Sequence, residues 1–387
     1  MKAANAILSS YGTTIFEVMS RLAAEHGAVN LGQGFPEGLE PKKVVRAAEE
    51  ALTRLSNQYP PMMGIPELRQ AVAEHAGRHY GLDLDWRTEV MVTSGATEAL
   101  ADCLLGLIEP GDEVVLIEPL YDSYLPIVRR AGGVPRLVRL EPPHWELPRE
   151  ALARAFSDRT KLLLLNSPMN PAGKVFAQDD LDFIAGLLVR HDAYAVCDEV
   201  YEHLAFDGRP HIPLITLPGM RERCVRIGSA GKIFSLTGWK VGFVSACPAL
   251  LAPIAKAHQF LTFTTAPNLQ AAVAYGLREI PDYYLNLGVE LQARRDRLAE
   301  GLSAAGFAVM GCQGTYFLTA DIKPLGFAGN DAEFCRHITV QAGVTAVPVS
   351  AFYQAGDVDH YVRFCFARPE ALIDEAIRRL RQHFGRA

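Results

Sequence analysis

The feature that most constrains the fold is an alternation of apolar runs of strand length with amphipathic runs of helix length, which begins at Glu89. Strands joined by helices in this way form a mainly parallel sheet that is covered on both faces. The strands predicted from this pattern are 90–93, 113–118, 134–140, 161–166, 194–198, 224–228 and 241–246. The sequence therefore predicts an α/β fold with a mainly parallel, seven-stranded central sheet.

The pattern changes in the last third of the chain. A long helical stretch from 282 to 305 is followed by shorter strands and helices that do not alternate strictly. The strands predicted there are 307–310, 315–321, 344–348 and 362–367, and the helices are 331–342 and 369–384. This arrangement predicts a second, smaller α+β domain after the large one.

Composition excludes several classes of function. The net charge is −6 over 387 residues, without a long basic run, so binding to nucleic acid is not expected. The seven cysteines lack Cys-x-x-Cys spacing, which predicts buried reduced thiols and no metal site. The sequence shows neither a signal-peptide pattern nor an apolar segment of membrane-spanning length. We therefore expect a cytoplasmic protein without a membrane partner.

The segment from Ser229 to Gly242 lies between two of the predicted strands and contains Lys232 and Lys240. In α/β sheets, ligands bind beyond the ends of the strands, so chemistry is expected in this segment. A lysine placed there can form a Schiff base with a carbonyl group, and Ser229 with Lys240 can hold a small anion. The alternative is an ordinary solvated loop, and the segment alone does not decide between the two.

A motif within this segment favours the chemical role over the solvated loop. It is Ser229-x-x-Lys232 followed by Thr237-Gly238-Trp239-Lys240-Val241-Gly242. It resembles the cofactor-lysine signature of the class I and II aminotransferases, which use pyridoxal 5′-phosphate on the fold-type-I scaffold. Lysine at position 240 is similar to the kynurenine, glutamine and methionine aminotransferases and to the succinyl-diaminopimelate aminotransferases. The resemblance implies an N-terminal arm that is part of the small domain (1–40), a large cofactor-binding domain (41–285) and a C-terminal small domain (286–387).

Lys232 has the surroundings for both imine formation and proton transfer. Asp198 ends an apolar run, where a buried carboxylate needs a cationic partner, although it could instead cap the next segment. The resemblance implies that Asp198 meets the pyridine nitrogen and that Tyr201 and Asn170 contact the phenolic oxygen O3′. Lys232, Asp198 and Tyr201 are thus the predicted catalytic residues.

Thr93-Ser94-Gly95-Ala96-Thr97 is typical of a strand, a tight turn and a helix start, where free amides can hold an anion. Ala96, Thr97, Ser229 and Lys240 are therefore predicted to bind the phosphate, with a simple helix cap as the alternative. The resemblance adds Tyr59, which would reach the phosphate of the other subunit, so that a homodimer shares its active sites.

Tyr121 matches the aromatic residue that stacks on the cofactor ring, whereas Tyr124 is predicted to be core packing. Arg363 interrupts an apolar strand and is predicted to bind the substrate α-carboxylate by a fork of two hydrogen bonds. Gly34 matches a weaker backbone contact to that carboxylate. Ile15 and Phe16 are candidates for an apolar side-chain pocket.

The predicted function is transfer of an amino group from an L-amino acid of the methionine, glutamine, kynurenine or aromatic type to a 2-oxo acid. Two alternatives remain open from the sequence. One is an N-succinyl-diaminopimelate aminotransferase, which segments such as Gly314-Thr315-Tyr316-Phe317-Leu318 resemble. The other is a cysteine-conjugate β-lyase, which shares every cofactor residue. Fold-level similarity does not fix the substrate.

Overall fold

The computed structural model describes residues 2–385. Within this range, the strands are β1 (Val29–Asn30), β2 (Val90–Thr93), β3 (Glu113–Glu118), β4 (Val134–Arg139), β5 (Thr160–Asn166), β6 (Tyr194–Asp198), β7 (Cys224–Ser229), β8 (Gly242–Ser245), β9 (Ala308–Val309), β10 (Phe317–Asp321), β11 (Val344–Thr345), β12 (Val347–Pro348) and β13 (Tyr361–Cys365).

The α-helices of the same range surround these strands. They are α1 (Ala6–Ser9), α2 (Ile15–His26), α3 (Lys42–Arg54), α4 (Pro66–Tyr80), α5 (Trp86–Glu89), α6 (Ala96–Leu107), α7 (Tyr124–Arg130), α8 (Arg149–Ala155), α9 (Gln178–Arg190), α10 (Ala230–Ile233), α11 (Pro248–Leu261), α12 (Pro267–Glu279), α13 (Pro281–Ala304), α14 (Asp331–His337) and α15 (Glu370–Phe384).

The central sheet has seven strands in the order β2-β8-β7-β6-β5-β3-β4. Only β8 runs antiparallel to its neighbours β2 and β7, and every other pairing in this sheet is parallel. The predicted α/β fold with a mainly parallel seven-stranded sheet is confirmed. The parallel strands β5, β6 and β7 end at the same edge, which is where ligands are expected in such a sheet.

The leucine run explains how the sheet is covered. Leu162 and Leu164 pack into the core on one face, and Leu163 and Leu165 pack into the core on the other. Successive side chains of a strand point to opposite faces, so an unbroken apolar run requires two cores.

A third core lies outside the central sheet. Met19 and Leu31 of the N-terminal segment pack there with Leu318 and Phe364 of β10 and β13. This contact agrees with an arm that belongs to the small domain, although the proposed boundaries stay a prediction. Residues 1, 386 and 387 of the predicted domains lie outside the described residues.

The predicted strand 344–348 is two strands in the structure. Its first half, β11, pairs in parallel with β1, and its second half, β12, pairs with β13 in a four-stranded sheet. The chain changes sheets at Ala346, which a continuous apolar run does not reveal. The predicted helix 331–342 also ends its α-helical part at His337 and continues as a π-helix over Ile338–Ala342.

Two further expectations concern the whole chain. All seven cysteines are buried and unbonded to one another. None of the helices in residues 2–385 combines the length and the apolar character that crossing a membrane demands.

The buried leucine run generates a stability prediction. We expect Leu163→Ala to lower the free energy of unfolding by about 2–5 kcal/mol, because it leaves a cavity in a fully buried strand. Leu52→Ala is the matched control, since Leu52 lies on α3 with its side chain 51% exposed. Urea unfolding followed by circular dichroism measures both changes. Equal losses in the two variants would contradict the two-sided core.

Candidate active site

A cavity of about 170 Å³ opens at the edge of the sheet where β5, β6 and β7 end. That volume is more than ten times the roughly 10–15 Å³ that one ordered water needs. Nine residues predicted from the sequence line it, namely Ala96, Thr97, Tyr121, Asn170, Asp198, Tyr201, Ser229, Lys232 and Lys240. The α/β architecture therefore brings together segments that lie far apart in the chain.

Lys232 is held on the short helix α10, directly after β7. Its amine donates a hydrogen bond to the hydroxyl of Tyr316 at 2.7 Å, and that hydroxyl donates to the carbonyl oxygen of Gly34 at 2.9 Å. Burial lowers the pKa of Lys232 to about 8, although the nearby carboxylate of Asp198 opposes the shift. A lysine with a lowered pKa is neutral more often, and only the neutral amine is a nucleophile.

Asp198 is the last residue of β6, and it is only 5% exposed. Its carboxylate accepts hydrogen bonds from the hydroxyl of Tyr124 at 2.5 Å and from the amide of Val200 at 3.4 Å. Among residues 2–385, no lysine, arginine or histidine forms an ion pair with it. Burial raises the pKa of Asp198, and the Tyr124 hydroxyl partly offsets this. The acid is therefore buried at the cavity without a cationic partner.

Tyr124 is a functional residue that the sequence analysis missed. It was predicted to be core packing, and its ring is indeed buried, but its hydroxyl meets Asp198 and it lines the cavity. A buried tyrosine hydroxyl usually finds a hydrogen-bond partner, which was the available signal. Tyr316 is the second such residue, because no local pattern places it beside Lys232.

Tyr201 and Asn170 line the same cavity as Lys232 and Asp198. The ring of Tyr201 meets that of Tyr316 edge to face, with 5.1 Å between the ring centroids. Asn170 is fixed by two contacts: its backbone amide donates to Asn166 at 2.9 Å, and its side-chain oxygen accepts from Arg363 at 2.9 Å. The NH₂ group of Asn170 consequently points away from the guanidinium.

The start of helix α6 forms one wall of the cavity. Gly95 precedes it with a φ of 82°, and the amides of Ala96 and Thr97 belong to the first turn. A Cβ atom placed on Gly95 would lie only 3.3 Å from the amine nitrogen of Lys240, so the lysine packs against the bare backbone there. Ser229 ends β7 nearby. Free amides at a helix start, beside a lysine and a hydroxyl, are an anion-binding arrangement.

Arg363 lies on β13 and is 1% exposed. It donates to the side chain of Asn170 and to the carbonyl oxygen of Gly32, both at 2.9 Å, and its Nε has no partner. No carboxylate of the described residues forms an ion pair with it. Burial lowers the pKa of Arg363 to about 10, which still leaves it charged at neutral pH. A buried cation without an anion is costly and points to an anionic ligand.

Aromatic rings surround this guanidinium. Phe317 lies 3.8 Å from it, Phe16 5.0 Å and Phe352 5.2 Å, measured to the ring centroids. Ile15 is partly buried against the small-domain core one residue before Phe16. The aromatic rings leave an apolar environment around the buried charge.

Two predicted residues sit differently from the rest. The carbonyl oxygen of Gly34 accepts a hydrogen bond from Tyr316, and that of Gly32 accepts one from Arg363. The contact of Gly34 to a substrate carboxylate stays a prediction. Tyr59 is 83% exposed, and its ring lies 5.7 Å from that of Phe263. Tyr59 therefore does not reach the cavity of its own chain.

The donor set around the cavity fits pyridoxal 5′-phosphate. An amine of lowered pKa suits its aldehyde, an unpaired acid suits its ring nitrogen, and the helix start with Lys240 suits its phosphate. Arg363 remains for a substrate carboxylate.

Comparisons with known proteins agree with this arrangement. The family model for aminotransferase class I and II matches residues 26–380. The probable N-succinyldiaminopimelate aminotransferase of Mycobacterium tuberculosis is 46% identical over 96% of both chains, and a solved structure of that enzyme gives a TM-score of 0.95 over 98% of this chain and 99% of the other.

Other relatives have different substrates in their names. The methionine aminotransferase of Escherichia coli is 38% identical over 97% of both chains. A solved structure of that activity from the same organism gives a TM-score of 0.96 over 99% of this chain and all of the other. The human kynurenine–oxoglutarate transaminase 1 is 37% identical over 94% of both chains.

The environment of Lys232 generates a prediction for the protein without added ligand. We expect competitive amine labelling at Lys232 to rise with pH and reach half its maximum near pH 8, because burial disfavours the charged form. Mass spectrometry of the labelled peptide measures the profile, and Lys43, which is exposed, provides the reference. A midpoint near the ordinary lysine value of about 10.4 would contradict the argument.

Proposed function

Because the chain belongs to the class I and II aminotransferases and is a pyridoxal 5′-phosphate-dependent transaminase, we propose a substrate, a set of residue roles and an assembly for it. The proposed reaction moves the amino group of an L-amino acid with a large or apolar side chain to a 2-oxo acid. The observation that supports it most is the buried, unpaired Arg363 among three aromatic rings.

When bound, pyridoxal 5′-phosphate supplies a carbonyl group that takes up the amino group and a ring that withdraws electrons from the substrate α-carbon. Lys232 is the residue proposed to form the Schiff base predicted from the sequence. Once the incoming amino group had displaced Lys232 from that bond, its free amine would hold and move the proton at the α-carbon. The hydroxyl of Tyr316, which contacts that amine at 2.7 Å, orients it.

Asp198 holds a proton on the ring nitrogen. Its burial makes this charge effective, because an ion pair is stronger where water is excluded. Tyr124 fixes the carboxylate from one side and Val200 from the other. Tyr201 and the NH₂ group of Asn170 are the proposed donors to the phenolic oxygen, and Tyr121 the proposed ring that shields the site from water.

The amides of Ala96 and Thr97, with Ser229 and Lys240, are the proposed phosphate site. Arg363 binds the substrate α-carboxylate, and Asn170 links the two halves of the site because it contacts the guanidinium directly. Phe16 lies beside Arg363, and we propose that it contacts the substrate side chain together with Ile15, the residue before it. Gly34 is proposed as a weaker backbone contact to the substrate carboxylate.

N-succinyl-diaminopimelate is the second candidate substrate. The 46% identity to a probable aminotransferase for that substrate favours it, whereas the aromatic surroundings of Arg363 favour an apolar amino acid. Both candidates share the α-carboxylate and α-amine, so they differ only in what the distal pocket must accept.

A homodimer with shared active sites is proposed from the surface around Tyr59. Tyr59 is 83% exposed, and Phe260 and Leu261 of α11 are 79% and 56% exposed. Large apolar groups concentrated on one side are typical of an interaction surface. Tyr59 would then complete the phosphate site of the second subunit. The cytoplasmic location remains a prediction from the sequence.

The substrate proposal is tested by the visible spectrum of the purified enzyme. We expect addition of methionine, glutamine or kynurenine without an acceptor to replace the band of the lysine-bound cofactor with that of pyridoxamine 5′-phosphate. N-succinyl-diaminopimelate is added in parallel. A shift with that compound alone would move the protein to the second candidate. Lys232→Ala is the control, and it should show neither the initial band nor turnover.

The shared site is tested by mixing two variants within one dimer. Tyr59→Ala and Lys232→Ala each damage a different half of the site. In a mixture that has re-formed its dimers at random, half of the dimers are hybrids with one intact site, so about a quarter of wild-type activity should return. No gain over the separate variants would contradict a Tyr59 that acts across the interface.

A further inference from the structure

Three histidines converge beside the active-site segment but play no part in the reaction described above. His75 and His79 lie one turn apart on helix α4, and His203 lies five residues after Asp198 in the turn that follows β6. One ligand nitrogen from each lies within 4.8 Å of the other two. Two histidines at positions i and i+4 of a helix face the same side and commonly bind one metal ion.

From this geometry we propose that His75, His79 and His203 form a binding site for a divalent transition-metal ion of the zinc or cobalt type. Neutral imidazole nitrogen is a preferred ligand of these ions. Three imidazoles leave a fourth position, which a water molecule fills.

The distances need only a small adjustment. The Nε2 atoms of His75 and His203 face each other at 2.8 Å. Two nitrogens bound to one tetrahedral zinc ion lie about 3.4 Å apart, given bonds of about 2.1 Å. The two rings must therefore separate by roughly half an ångström, which side-chain rotation supplies. The Nε2 of His79 currently contacts the hydroxyl of Tyr284 at 3.2 Å, so its ring is held by one side-chain partner that a metal can replace.

The surrounding charges favour a cation. Glu199 and Glu202 are both buried, and they share the guanidinium of Arg226. His211 also contacts Glu199 at 3.1 Å, and the hydroxyl of Tyr80 donates to Glu202 at 2.6 Å, but neither partner carries a permanent positive charge. Two carboxylates with one permanently charged partner leave a surplus of one negative charge. A nearby divalent cation would compensate it, and a buried carboxylate otherwise lacks such compensation.

Buried polar atoms without hydrogen-bond partners also support a metal site beside these histidines. The Nδ1 atom of His75 and the Oε1 atom of Glu202 are buried without a hydrogen-bond partner. The second oxygen of Glu202 lies 4.0 Å from that Nδ1. A histidine that binds a metal through one nitrogen commonly presents the other to a carboxylate, which fixes its tautomer and orientation. Glu202 is in position for that supporting role.

The test uses the holoenzyme prepared without a histidine tag and stripped of metal with a chelator. It is titrated with Co²⁺, whose visible absorption reports tetrahedral coordination, and then with Zn²⁺ in competition. We expect one equivalent of Co²⁺ per chain, displaced by Zn²⁺. In His79→Ala, binding should weaken by roughly 100-fold or more, because even supporting residues change metal affinity by 10–100-fold.

The chain provides a matched control. His337 and His383 face each other on the surface with 3.2 Å between their Nε2 atoms, so they offer two imidazoles without a third. His383→Ala should leave the Co²⁺ spectrum unchanged. The cofactor band of each variant verifies that the active site has folded. Absence of binding to the unaltered enzyme would overturn the proposal, and so would a signal lost in His383→Ala but kept in His79→Ala.

Discussion

The active site depends on a buried carboxylate that has no cationic partner within the described chain. Asp198 is 5% exposed, and its two protein contacts are a phenol and a backbone amide. Neither neutralises a charge, so burial raises the pKa of Asp198 and these hydrogen bonds offset the shift only in part. An isolated buried charge is costly to the fold. In the proposed role of Asp198, a protonated ring nitrogen of the bound cofactor would complete the pair and offset that cost.

The five residues from Asp198 to Glu202 place their acidic side chains in two different environments. Asp198 and Tyr201 line the cavity, whereas Glu199 and Glu202 point to Arg226. The first pair is left for a ligand, and the second is already satisfied in part by the protein. The side chains of a single short segment therefore face the cavity on one side and a buried ion-pair network on the other. Arg226 anchors Glu199 and Glu202, and because they neighbour Asp198 in the chain, this anchoring also restrains Asp198. Such rigid support is what a binding site requires.

Sequence patterns predicted most of the architecture. The strands 90–93, 113–118 and 194–198 match the structure residue for residue, because long apolar runs bounded by turns are a strong signal. β1 was missed because it has two residues, too few to show an alternation. The division of 344–348 between two sheets was missed because strand pairing is set by distant segments.

In the candidate site, too, the contacts that were missed are those between residues far apart in the chain. Residues in local motifs, such as Lys232 and Asn170, were found and line the cavity. Tyr124, Tyr316 and the His75–His203 contact depend on residues between 74 and 128 positions apart, and no local pattern records such a pairing. The contact between the guanidinium of Arg363 and the carbonyl oxygen of Gly32 joins residues 331 positions apart, and it was not predicted for the same reason.

The two unpaired charges explain why the empty protein and the loaded enzyme should differ in stability. Asp198 and Arg363 are both buried, and they do not form an ion pair with each other. Arg363 donates to Asn170, which donates to Asn166, and Asn166 donates to the backbone carbonyl of Asp198. Letting them pair directly would satisfy both, yet it would remove each group from the ligand that is proposed for it, the ring nitrogen for Asp198 and the substrate carboxylate for Arg363. Separation keeps each group ready for a different ligand, at a cost that the fold must carry. Ligands that bind only the folded state then return this energy as stabilisation, so cofactor binding and folding are thermodynamically linked.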